Sequence, residues 1–241
     1  MRYGTGLIAA CLLGITGTAN AGFSSTVTAV SDYDFRGVSL STKDPALQAS
    51  LDFAADNGFY AGVWASNMDY GSSYDGDIEL DLYTGIAGAT SGGLGWDVGV
   101  VWYTWPDSSG SATQFNIRDY PEFYASISHG PFKFKQWFTD NYVGYHQDAA
   151  YSEINGSFPM PAGFTLNLHA GYNYGEYFKN SSTDEYLDFS AGVGYSVGHF
   201  SLALKVTGTE LSGSHEIKSE EFNTEPRAVF SIATTFPWSS E

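Results

Sequence analysis

The chain is poor in cations. Ten Lys and Arg stand against 27 Asp and Glu, and one of the ten, Arg2, lies in the N-terminal leader. A polyanion-binding surface needs a basic stripe, so nucleic acid can be set aside as a partner. Cysteine is scarcer still. Cys11 is the only one, and it sits in a segment expected to be removed, leaving no disulfide framework and no thiolate metal site. Long apolar runs are missing too. No stretch approaches the roughly 18 apolar residues of a transmembrane helix, and no window carries the roughly 3.6-residue apolar period of an amphipathic one.

The leader itself is readable. Met1-Arg2 gives a positive start, Leu7 to Ile15 an apolar run, and Ala19-Asn20-Ala21 a small-x-small cleavage site. Residues 1–21 are therefore expected to be a signal peptide that carries the chain through the inner membrane, and residues 22–241 a single domain. Ile8-Ala9-Ala10-Cys11 imitates a lipoprotein box, but too little apolar chain precedes Cys11 and the run continues beyond it.

What the chain has in quantity is Gly, Tyr and Phe: 28, 17 and 17 residues. Glycine at that level weakens helices, while the aromatics favour strands. About twelve stretches alternate apolar and polar side chains, near residues 24–35, 46–55, 58–67, 75–89, 94–104, 119–129, 131–140, 149–158, 162–173, 184–197, 199–207 and 226–236. In 75–89, Ile78, Leu80, Leu82 and Ile86 face one way and Asp75, Asp77, Glu79 and Asp81 the other. A soluble sandwich would turn the oily side to a core; a barrel in lipid would turn it outward and keep the charges in the lumen.

The connectors favour the barrel. Short ones, such as Ala55 to Gly58, Thr90 to Gly93, His129-Gly130-Pro131 and Gly198-His199, alternate with long polar segments. Outer-membrane barrels pair short periplasmic turns with longer extracellular loops, and sandwich loops have no reason to alternate. The expected fold is thus all-β, a closed antiparallel transmembrane barrel of twelve strands in the bacterial outer membrane, surrounded by lipid and lipopolysaccharide. Trp102, Trp105, Trp137, Tyr172 and Tyr195 fall near strand ends, where amphipathic rings suit the headgroup boundary. Phe230, Ile232, Thr234 and Phe236 share a face, and a last strand closing on Phe236 is similar to the signal read by the barrel-assembly machinery. One strand fits poorly: in 131–140, turning Lys133 and Lys135 inward leaves Gln136 facing lipid.

Ser31-Asp32-Tyr33-Asp34-Phe35-Arg36-Gly37-Val38-Ser39, then Pro45 to Gln48, Leu51-Asp52-Phe53, Gly58 to Asn67 and Glu79 to Gly85, resembles the TorF-type porin-like proteins, the Gcw_chp family. Tyr120-Pro121-Glu122-Phe123-Tyr124 is a further point of similarity. The resemblance implies an outer-membrane barrel and little about the solute. Asp34 stands where many relatives carry an apolar residue.

By alternation the lumen is expected to receive Asp32, Asp34, Arg36, Asp52, Asp75, Asp77, Glu79, Asp81, Asp97, Glu122, Lys133, Lys135, Asp188 and Lys205. Successive carboxylates on one strand face lie about 6.7 Å apart and repel by about 0.6 kcal/mol in bulk water, more where water is restricted. With relief left to Arg36, Lys205 or mobile cations, the expectation is a channel for small polar or cationic solutes. A loose divalent-ion ladder at the rim is the plainer reading of the same acids. Asp75-Gly76-Asp77 with Glu79 lacks EF-hand spacing, so neither metal nor cofactor is expected. Arg36 beside Asp32 and Asp34 could shape a transverse field, or close the first strand against the last. His169, the one histidine expected mid-strand, should point into the lumen as a hydrogen-bonded interior group. No Ser–His–acid set assembles on one strand face, so an enzyme is not expected. A plugged barrel with a surface binding role remains the alternative, and a lipid-modifying enzyme a more distant one.

Overall fold

Where side chains alternate, the chain runs as strand, and the strands close on one another. The computed structural model describes residues 21–69, 76–106, 117–181, 184–212 and 223–238. In chain order the strands are β1 (Gly22–Val30), β2 (Asp34–Phe35), β3 (Val38–Ser39), β4 (Ala46–Ala54), β5 (Phe59–Asn67), β6 (Ile78–Ala89) and β7 (Gly95–Thr104). They continue as β8 (Tyr120–His129), β9 (Phe132–Thr139), β10 (Ala149–Pro159), β11 (Phe164–Tyr174), β12 (Tyr186–Val197), β13 (Phe200–Thr209) and β14 (Arg227–Phe236). All but β2 and β3 form a closed antiparallel barrel of twelve strands, and β1 completes it by pairing with both β14 and β4. The register of closure is Ser25 opposite Phe236 and Gly22 opposite Ala54. Closure leaves no sheet edge, as a wall in lipid requires.

The outer face is apolar. Leu47, Leu51, Leu82, Phe123, Phe134, Ile154, Leu168, Phe189 and Leu204 are all exposed, far more oily surface than a soluble monomer tolerates. Trp102, Tyr172 and Tyr195 belong to this face, but Trp105 and Trp137 do not: both are buried inside the barrel. Trp105 lies past the end of β7, and Trp137 shares the inward parity of Lys133 and Lys135.

That parity settles strand β9. Lys135, Trp137 and Thr139 are buried, while Phe132, Phe134 and Phe138 are exposed. Gln136 does face outward, and its amide is satisfied there: Nε2 donates to the carbonyls of Trp137 and Tyr151 at 2.8 and 3.2 Å, and Oε1 accepts from Ser152 at 2.5 Å. A polar residue in lipid is tolerable when its groups are paired locally.

The first strand is shorter than its alternation suggests. It ends at Val30, and residues 31–45 leave the wall and fold inward at the loop end. Within them β2 and β3 form a hairpin around Arg36-Gly37. Both turn residues have positive φ, 51° and 83°, as the two-residue turn that suits strand twist demands. A Cβ on Gly37 would stand 2.6 Å from Thr209 Cγ2, so glycine is required twice over. The leader expected at residues 1–21 falls, except for Ala21, outside the described residues, as does Asp75.

Candidate functional site

Two different interiors share the lumen. On the side of β5 to β10 it is packed with aromatic side chains: Tyr60, Tyr83, Tyr103, Tyr120, Tyr124, Trp137 and Tyr151. Close packing is possible because inward glycines receive the rings of neighbouring strands. A Cβ on Gly62 would stand 2.5 Å from Tyr83 Cζ, and one on Gly99 2.4 Å from Tyr124 Oη. The phenols are tied to acids: Tyr60 donates to Asp97 at 2.6 Å, Tyr83 donates to Asp52, and Tyr60 and Tyr124 share a hydrogen bond.

On the side of β1, β4 and β11 to β14 there is a cavity of about 510 Å³. It runs from Asp32, Tyr33 and Asp34, past Ser50, Trp64, Asp81 and Lys205, to His199 and Trp238 at the turn end. Its roof is the inward-folded segment.

Arg227 of β14 clasps that segment. Its Nε donates to Asp32, its Nη2 to Asp34 at 2.5 Å, and its Nη1 to the Gly37 carbonyl at 2.9 Å. Asp32 also accepts from Ser39 and Ser41, and Asp34 from Lys205 at 2.6 Å and Thr207 at 3.1 Å. Arg36 reaches the opposite way, to β8. Its guanidinium forks onto Glu122 at 3.1 and 2.5 Å, and lies over the rings of Phe35 and Tyr151. Tyr103 donates to the same carboxylate. The expected partnership of Arg36 with Asp32 and Asp34 is therefore taken by Arg227, which does tie the end of the first strand to the last. Arg36 instead spans the lumen. The hairpin turn sends its side chain away from the flanking aspartates, which strand alternation could not anticipate.

The remaining expected residues distribute as follows. Glu79, Asp81, Glu122, Lys135 and Asp188 are inward and buried. Lys135 seats its ammonium 3.7 and 3.8 Å from the ring centres of Tyr124 and Trp137. Lys133 shares its face nearer the turn end. Asp77 stands exposed in the loop before β6, not within the barrel. His169 is inward, with Nδ1 2.8 Å from Asn155 Oδ1 and Nε2 2.9 Å from both Asp188 Oδ1 and Tyr151 Oη. Ser190 lies directly opposite His169, yet both ring nitrogens are already engaged, so neither is open to activate a hydroxyl. At the loop end, burial holds the Tyr142 phenol above its ordinary value and pushes that of Tyr177 up to about 12. Hydrogen bonding from the Gly175 amide, the largest cause, lowers the Glu185 carboxyl.

Arg227, Glu153, Tyr33 and Asn173 are among the interior residues the sequence pattern did not single out. Arg227 shares inward parity with Val229, which is buried, so counting back from Phe230 would have found it.

A closed twelve-stranded wall, an apolar exterior and a charged interior narrowed by an inward segment define a β-barrel of porin-like fold. The NanC porin aligns with a TM-score of 0.56 at 6% identity, over 90% of this chain and 100% of its own. The COG4313 outer membrane channel from Pseudomonas putida F1 aligns at 0.55 and 10% identity, over 94% and 100%. The KdgM porin aligns at 0.52 and 7% identity, over 90% and 99%. At such identities the likeness is one of fold. Residues 15–236 match the family described as bacterial protein of unknown function (Gcw_chp), and the chain belongs to that family. No curated protein matches it in sequence.

Proposed function

We propose that the protein is a passive outer-membrane channel for small polar or cationic solutes, with the cavity beneath residues 31–45 as its pathway. The cavity of about 510 Å³ is the observation that carries this reading, because a barrel serving only as a wall has no need of one. Acids dominate the interior: Asp52, Glu79, Asp81, Asp97, Glu122, Glu153 and Asp188 join Asp32 and Asp34, against Arg36, Lys133, Lys135, Lys205 and Arg227. Such a field favours cations. The channel has no catalytic step. Lipid and lipopolysaccharide surround it, and β14, closing on Phe236, is the segment offered to the assembly machinery.

Planar-bilayer recording of refolded protein tests the proposal. Discrete conductance steps are expected, with a reversal potential under a KCl gradient that reports cation preference. An anion preference removes the selectivity, and a correctly folded barrel with no conductance removes the channel. The second outcome would favour a plugged barrel with a surface role, a reading supported by the aromatic packing and the roofing segment.

A further inference from the structure

Asp81 differs from the other lumenal acids among the described residues in having no hydrogen bond or ion pair, and its neighbour Glu79 has only one. Asp188 also leaves Oδ2 unpaired, but His169 and Tyr151 both hold its Oδ1. Asp32 and Asp34 are held by Arg227 and Lys205, Glu122 by Arg36, and Asp52 and Asp97 by tyrosines. Tyr33 donates to Glu79 Oε1 at 3.1 Å, but Glu79 Oε2 and Asp81 Oδ1 are buried with no hydrogen-bond partner. An ionised carboxylate buried in this way is costly unless something donates to it. Asp81 is 4% exposed and lines the cavity together with Trp64 and Tyr33.

We propose that Asp81 and Glu79 form a binding site for the primary ammonium group of a small organic solute, walled by the rings of Trp64 and Tyr33. Trp64 lies directly opposite Asp81 across β5 and β6, and its ring centre is 5.5 Å from that of Tyr33. Two carboxylates on successive inward positions of β6, with aromatic faces beside them, suit an N–H-bearing organic cation that can donate to both. A hard metal ion would want a cage of oxygens instead of rings. A quaternary ammonium would leave both oxygens unpaired. The lumen already seats one ammonium in such surroundings, Lys135 over Tyr124 and Trp137. A cavity of about 510 Å³ leaves room for the rest of a small molecule.

The inference names a solute class for the proposed channel and rests on that reading for its physiological meaning, although binding is measurable without conduction. The test is calorimetric titration of n-butylammonium chloride into the refolded barrel in detergent, beside sodium chloride and tetramethylammonium chloride. Correct folding is checked by heat-dependent migration in SDS gels. Saturable binding of n-butylammonium alone is expected. It should weaken at least tenfold in Asp81→Asn and Glu79→Gln, fall in Trp64→Leu, which keeps both carboxylates, and stay unchanged in Asp56→Asn on an exposed turn. No saturable binding by folded protein, equal binding of tetramethylammonium or sodium, or full binding by Asp81→Asn would each overturn the site. The last result would identify a proton-sharing neutral pair. Conductance without ammonium binding sinks the site and leaves the channel; binding without conductance does the reverse.

Discussion

At the scale of single residues, the Arg36–Glu122 pair sets the interior's cohesion. Glu122 is wholly buried, and the guanidinium fork with the Tyr103 hydroxyl supplies all the donors recorded for it. A buried pair gains little over an apolar replacement, but removing one partner strands the other charge and costs about 3–5 kcal/mol. Arg36→Ala should therefore lower stability to urea by about that much, and adding Glu122→Gln should restore most of it. Urea titration of the barrel in lipid vesicles, followed by tryptophan fluorescence, measures both. A loss that persists undiminished in the double variant would mean that Arg36 acts through its ring contacts instead of its charge.

At the scale of elements, the twelve wall strands were legible because alternation is a two-residue signal that each strand repeats several times. The expected 46–55 and 58–67 became β4 and β5 almost unchanged. Residues 31–35 were misread as wall, since Tyr33-Asp34-Phe35 alternates like a strand while Arg36-Gly37 turns back into the lumen. The connector that follows was legible as a loop but not as an inward one. Distinguishing wall from plug needs the partners, and those lie far away in sequence: Glu79, Glu122, Lys205 and Arg227. The same gap paired Arg36 with the wrong acids. Because this segment roofs the cavity, replacing residues 33–40 by a short Gly-Ser link should raise single-channel conductance. The wall should be retained, because strands β1 and β4 pair with each other independently of the hairpin. Unchanged conductance in a folded variant would place the constriction among the tyrosines of β5 to β8.

At the scale of the molecule, the choice between lipid and water outside the wall decides the sign of every surface substitution. Ile154 lies near the middle of β10 and is half exposed on the outer face. In water an arginine there would be nearly harmless. In a bilayer it places a charge in hydrocarbon, and the cost near the midplane is about 2–4 kcal/mol. Ser190 sits on the opposite face and lines the cavity, so Ser190→Arg has space and charge-solvating neighbours, including Asp188 on the same strand. The expected result is an inversion of the soluble-protein rule: Ile154→Arg loses about 2–4 kcal/mol in vesicle unfolding, and Ser190→Arg changes stability by less than about 1 kcal/mol while reducing conductance. Equal tolerance at Ile154 would require water outside the wall, and the belt of exposed Leu, Ile and Phe would then have no solvent that suits it.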